Sequence, residues 1–231
     1  MDRKYEFTGE MKEAFGHTLR RIAAVRDIER FGVKAGDKGG WIEAEHNLNQ
    51  DGDAWVYGDA QVYGNALVYG NAWVCGNARV CDDAWVCGNA RVCDDAWVCG
   101  NARVCGNARV YGNAQVYGNA QVYGNALVYG NAKVCDDALV CGNALVCGNA
   151  LVCGGKWEKP PLYIQGTAWA FYMASDNKIG IGCQRHGIDY WRKHWQDVVC
   201  KFGASEEQVR EYMLYFNLAA ARYGFEGIKI C

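Results

Sequence analysis

One period governs this chain. From Gly52 to Cys153 the sequence repeats every six residues with no insertion or deletion, giving 17 consecutive hexads. The slots read Gly/Asp, Asn/Asp, Ala, any residue (x), Val, Tyr/Cys, as in GDAQVY, GNALVY and GNARVC. Ala fills its slot from Ala54 to Ala150, and Val its slot from Val56 to Val152, without exception. Self-similarity at a fixed period marks a solenoid, in which each unit buries its apolar face only against its neighbours.

Each slot has a physical role. Ala–x–Val–Tyr/Cys alternates with period two, as a short strand with one buried face requires. Ala and Val are expected inside, x and Tyr/Cys outside. Gly followed by Asn supplies the turn, because both tolerate positive φ. Asp replaces Gly or Asn at Asp82, Asp83, Asp94, Asp95, Asp136 and Asp137, where its carboxylate can bond locally to turn backbone. One turn per hexad predicts a three-sided coil with three hexads per rung and a little under six rungs. At a strand spacing of about 4.8 Å the prism is roughly 27 Å long. Each Val contributes ~1.5 kcal/mol or more on burial, but no rung is stable alone, so the ends need caps.

Val-x-Gly-Asn-Ala-x resembles the hexapeptide repeat of left-handed parallel β-helix proteins. The hand comes from that resemblance, because ordinary parallel crossovers are right-handed. The order KYEFTGE, VKAGDKGGWIEAEHNL, GNA repeats, IGIGC and two helical stretches is similar to bacteriophage and prophage hexapeptide-repeat proteins of unknown function. The resemblance implies a mainly β fold: a left-handed parallel β-helix with an N-terminal β cap and a small C-terminal α+β domain.

The flanks divide accordingly. Residues 1–51 read as the cap, with Phe7, Leu19, Ile22, Val25 and Ile28 as apolar material, Gly9 and Gly16 as turns, and Lys34 to Leu48 as an irregular lead-in. Residues 52–153 are the coil. Pro160 and Pro161, the only prolines, mark the entry to a C-terminal α+β domain over 154–231. It is expected to hold strands over Leu162–Tyr172, broken near Gly166, and Ile179–Cys183. A helix follows over Ile188–Phe202 with Ile188, Trp191, Trp195, Val198 and Phe202 on one face, closed by Gly203. Ser205 and Gln208 form a capping box for a second helix ending near Gly224, with Val209, Met213, Phe216, Ala220 and Tyr223 as its buried stripe.

Composition removes several functions. Lys plus Arg number 24 against 26 Asp plus Glu, without the basic excess of a nucleic-acid or anionic-membrane binder. No apolar run approaches the roughly 20 residues of a spanning helix. The charged start MDRKYEFTGE has no signal core, so the expected setting is the cytoplasm of a bacterial host cell. Hexapeptide-coil acyltransferases use a His on the coil or an inserted loop, and this repeat has neither: His17, His46, His186 and His194 all lie in the flanks. Ice-binding solenoids rely on outward Thr ranks, whereas Thr occurs only at Thr8, Thr18 and Thr167. No catalytic residue and no cofactor site is assigned.

Cysteine and the x slot carry what chemistry remains. Cys183 and His186 form a C-x-x-H pair, a metal candidate lacking the third and fourth ligands that zinc needs; the bland reading is a buried Cys and a surface or capping His. Ten of the 13 cysteines occupy the Tyr/Cys slot. Cys75/Cys93, Cys81/Cys99, Cys87/Cys105 and Cys135/Cys153 are then vertical neighbours about 4.8 Å apart, within disulfide range, although a reducing cytosol keeps them as thiols. Their main reading is structural ladders, with metal or redox sensing as the alternative.

The x slots run Trp55, Trp73, Arg91, Arg109, Leu127, Leu145 on the first face; Gln61, Arg79, Trp97, Gln115, Lys133, Leu151 on the second; and Leu67, Trp85, Arg103, Gln121, Leu139 on the third. Trp and Arg are favoured interface anchors, so Trp55, Trp73, Trp85, Arg91, Trp97, Arg103 and Arg109 are the interaction candidates. The sequence thus points to a non-enzymatic binding or assembly module. It would self-associate as a dimer or trimer or dock a host or phage protein, with no nucleic acid and no membrane. The alternatives are a degenerate acyltransferase-like or small-molecule site using Cys183, His186 and Trp169–Tyr172, and a phage inhibitor of a host defence factor.

Overall fold

The computed structural model describes residues 3–201 and 203–228, and of Gln196, Val199 and Cys200 the backbone alone. Phe202 therefore lies outside the described residues. Every hexad forms a two-residue strand made of its x and Val positions, from Trp55–Val56 to Leu151–Val152. Strands three hexads apart pair in parallel and in register, as in Arg91 opposite Arg109 and Val92 opposite Val110. Three parallel sheets result, and their membership is the three sets of x residues expected from the period. The chain is a parallel β-solenoid of about six turns.

Backbone bonds between turns repeat with the sequence. The x amide donates to the Ala carbonyl of the next turn (Arg91 N to Ala108 O, 2.9 Å), the Tyr/Cys amide to the Val carbonyl (Cys93 N to Val110 O, 3.0 Å), and the corner Asn amide to the corner Gly carbonyl (Asn89 N to Gly106 O, 2.7 Å). All the repeat Val and Ala side chains are buried and form one core along the axis.

The corners explain why Gly recurs. Gly88 has φ +65°, and a Cβ there would lie 2.9 Å from the Gly106 nitrogen one turn on. Asp82, Asp94 and Asp136 occupy the same positive-φ slot at +59°, +61° and +54°. The carboxylates of Asp82 and Asp94 act between turns, not locally as expected: Gly100 N donates to Asp82 Oδ2 and Gly112 N to Asp94 Oδ2, both at 3.0 Å. The second corner residue builds amide ladders. Asn71 donates to Asn89, Asn89 to Asn107, Asn107 to Asn125 and Asn125 to Asn143, at 3.0 to 3.3 Å. Asp83, Asp95 and Asp137, which can only accept, each end a run.

The N-terminal segment closes the coil by extending it. β1 (Tyr5–Ala14) and β2 (His17–Ala24) form an antiparallel hairpin, and β3 (Lys38–Ile42) joins β2 on one side and the strand Gln61–Val62 on the other, in parallel. The second face is thus a nine-stranded sheet. Trp41 N and Glu43 N donate to Ala60 O and Val62 O, satisfying a sheet edge that would otherwise invite aggregation. The stretch expected to be irregular therefore contains a regular strand, whose Gly39 and Gly40 let its backbone lie against Trp55 and Val56. Gly9 marks a register shift within β1, not a turn; Phe15 and Gly16 make the turn. Val25 is exposed, while Leu19, Ile22 and Ile28 are buried.

At the other end Lys156–Trp157 adds a further strand to the third sheet. A four-stranded antiparallel sheet follows (Tyr163–Gln165, Ala170–Ser175, Lys178–Ile181, Gln184–Gly187), with Cys153 N donating to Ala174 O at 2.8 Å. Two helices, α1 (Ile188–Lys201) and α2 (Glu206–Tyr223), pack on this sheet. Ser205 and Gln208 make the expected capping box. The stripe of α2 is rotated from expectation to Tyr212, Phe216, Ala219 and Ala220. The cause is Tyr212, whose hydroxyl accepts from Ala168 N and Trp169 N and donates to Trp169 O; that turn needs a buried partner. Val209, Met213 and Tyr223 are half-buried beside it. Among the described residues no helix is long and apolar enough to cross a membrane.

Two predictions follow from these packings. Gly88→Ala is expected to destabilise by about 2 kcal/mol, from positive φ and the close backbone of the next turn. Gly88→Asp loses less, because its carboxylate can take the Gly106 amide as Asp82 takes that of Gly100; urea melts of the two variants compare them. In the cap, Lys4 is fully buried and its Nζ has no hydrogen-bond partner. Burial, aided by the Arg26 charge, lowers its pKa from 10.5 to about 8. Between those values the unfolded chain holds a proton the folded chain lacks, so stability rises with pH across the window; below it the full penalty persists. Lys4→Met should abolish that rise and stabilise the protein at pH 7 by on the order of 3 kcal/mol, read by melts at several pH values.

Candidate functional site

Outward residues stack in vertical columns, so like meets like or meets a chosen partner every turn. On each face the x column carries a Trp and an Arg in adjacent turns: Trp73 beside Arg91, Arg79 beside Trp97, Trp85 beside Arg103. The Arg103 guanidinium lies 4.7 Å from the Trp85 ring centre and that of Arg79 5.2 Å from Trp97, contacts worth about 0.5–1 kcal/mol each at exposed sites. Arg91, Arg103 and Arg109 are exposed, and Trp73, Trp85 and Trp97 half-buried.

The cap treats the three faces differently. Trp55, expected to face outward as a contact residue, is fully buried: the first turn is the floor on which β3 and Ile22 pack. Phe31 packs at a tilt against Trp73, ring centres 4.3 Å apart, and Phe15 covers the Arg79 guanidinium at 4.9 Å. On the third face, among the described residues, no aromatic side chain of the cap stacks on Trp85. There Glu45, His46, Leu48, Leu67, Tyr69 and Trp85 line an open groove of about 600 Å³.

The Tyr/Cys slot forms three columns that begin alike: Tyr57–Cys75–Cys93–Tyr111, Tyr63–Cys81–Cys99–Tyr117 and Tyr69–Cys87–Cys105–Tyr123. These side chains lie outside the Val/Ala core, yet several are buried, because the columns stack and, at the first turn of the second face, Phe15 and His17 pack on Tyr63. Leu19, Trp41, Tyr63, Cys81 and Cys99 make a separate apolar cluster, flanked by Ala14, Trp97 and Tyr117. Cys87 and Cys105 are joined by a disulfide with Cα atoms 4.7 Å apart, while Cys75, Cys81, Cys93, Cys99, Cys135 and Cys153 are free thiols.

Two thiol pairs also meet a carboxylate. Cys81, Asp82 and Cys99 bring their ligand atoms within 4.8 Å of one another, as do Cys135, Asp136 and Cys153. Trp97 Nε1 donates to Cys81 Sγ at 3.3 Å. A hydrogen bond from Cys99, with those of Trp97 and Tyr63, brings the first proton of that pair down to about pKa 7, and the same Cys99–Cys81 bond pushes the second up. Cys135 and Cys153 have sulfurs 2.7 Å apart, and Arg185 Nη1 donates to Cys153 Sγ at 3.2 Å.

The C-x-x-H pair fares differently. Cys183 was expected to be buried and is exposed, because Gly182, with φ +57°, starts the turn between the last two strands. His186 stacks on Tyr190 at 4.1 Å, and its Nε2 is 3.3 Å from Gln184 Oε1. Among the described residues no third ligand joins them. The groups that sequence reasoning underweighted are Asp82 and Asp136, whose position directly after Cys81 and Cys135 in the CDD strings was the available signal.

Three segments, residues 60–76, 102–118 and 120–136, match the family model described as the YdcK beta solenoid repeat. No curated protein matches the chain. The architecture and these matches agree on the class: a β-solenoid repeat protein. An ultraviolet thiolate titration tests the second-face column. Its lowest transition, at about pH 7, should vanish in Cys81→Ser and move to higher pH in Trp97→Phe, which removes the indole donor.

Proposed function

We propose that this β-solenoid repeat protein is a rigid, non-enzymatic protein-binding module that takes its partner on the third face. The observation that carries the reading is the uncovered Trp85–Arg103 pair beside the groove of Leu48, Leu67 and Tyr69. Trp, Tyr and Arg are the residues that dominate contact energetics, and a stiff coil presents them with little conformational entropy to lose. The cap spends the equivalent residues of the other faces on its own packing. The phage-type order of cap, repeats and helices supports a partner from the host cell or the phage, or a second copy of this chain.

Light scattering and capture from a bacterial lysate test it. The expected result is a complex, with itself or with a retained protein, weakened at least tenfold by Trp85→Ala or Arg103→Ala and little changed by Trp73→Ala. A strictly monomeric protein whose captured partners are indifferent to Trp85→Ala would overturn the reading.

A further inference from the structure

We propose that Cys81 and Cys99 form a binding site for a soft monovalent metal ion, copper(I), within the apolar cluster that the N-terminal hairpin joins and assisted by Asp82. Their sulfurs and an Asp82 carboxylate oxygen lie within 4.8 Å of one another. In a parallel stack equivalent side chains recur every ~4.8 Å, close to twice a metal–thiolate bond of about 2.3 Å. Two cysteines in one column can therefore hold an ion between them with sulfur on either side. Thiolate donors select copper(I) over harder ions.

The surroundings favour low coordination. Cys81 and Cys99 belong to one buried apolar cluster with Leu19, Trp41 and Tyr63, against which Ala14, Trp97 and Tyr117 pack, surroundings that disfavour a retained water shell. Binding replaces two S–H bonds by two metal–sulfur bonds, releasing two protons and leaving one net negative charge. Arg79, two residues before Cys81 on the same face and held between Phe15 and Trp97, offsets it. Cys99 keeps 9% of its surface open and supplies the way in by thiol exchange. One carboxylate oxygen of Asp82 is held by the Gly100 amide, which orients the other.

The remaining pairs lack this combination: Cys75 and Cys93 are free thiols but form no such group with a carboxylate among the described residues. Cys135 and Cys153 have Asp136 nearby, but the Arg185 guanidinium already donates to Cys153, a fixed cation at the place an ion would take. Cys87 and Cys105 are bonded to each other.

The test is anaerobic loading of the full chain with copper(I), then competition with a copper(I) chelator. The wild type should retain one equivalent, Cys135→Ser/Cys153→Ser the same, and Cys81→Ser/Cys99→Ser none. No retained copper, or equal retention in the Cys81→Ser/Cys99→Ser variant, overturns the assignment. If that variant fails to fold by circular dichroism, X-ray absorption of the copper-loaded Cys75→Ser/Cys93→Ser/Cys135→Ser/Cys153→Ser variant decides: one equivalent with two sulfur neighbours supports the site, and no copper, or three or four sulfurs, overturns it. Displacement of the copper by an equal concentration of zinc overturns the choice of a soft monovalent ion. None of these readouts depends on the third-face partner.

Discussion

Vertical register is the constraint on which the rest of this structure depends. Each residue is stacked on the residue three hexads away, and the corner carbonyl of Gly106 receives the amide of Asn89 across a corner where an added Cβ would meet the next turn's backbone at 2.9 Å. The Val and Ala core is thin, so its burial is shared among turns and no turn can hold its shape alone. The caps are therefore part of the fold's energetics. β3 pairs with the second-face strand of the first turn, and the strand Ala170–Ser175 receives the last coil amide at Cys153.

The same register turns a modest alphabet into paired chemistry. A Trp placed three hexads from an Arg becomes a cation–π pair, and a Cys three hexads from a Cys becomes a thiol pair or a disulfide. Neither needs long-range folding precision beyond the repeat itself. What distinguishes the faces is the covering. The hairpin and Phe31 close over the second and first faces, while the third keeps a groove beside Trp85.

Legibility followed periodicity. The three x sets, the buried Val and Ala, the thiol pairing and the capping box at Ser205 were readable because each depends on spacing or local chemistry. Trp55 was not, since its burial depends on a strand thirteen or more residues earlier whose Gly39 and Gly40 permit close approach. Tyr212 was missed because its place on α2 is decided by the amides of Ala168 and Trp169, a tertiary demand invisible to helical spacing. Cys183 looked like the end of a strand, but the chain reverses at Gly182. Asp82 and Asp94 were read as local turn formers, yet their carboxylates reach the next turn.

The corner ladders carry a consequence for how such a coil can change length. Their amides hand hydrogen bonds onward, and wherever a run meets an Asp, which has no proton to pass, it stops. Excising one hexad would leave the Val and Ala interior intact yet carry the terminal helices to a neighbouring side of the prism and set each Asp over the wrong column. Removing a complete turn only lowers the tower by one storey. Growth and loss in this architecture are thereby quantised in whole turns, with the corners, not the core, acting as the vernier.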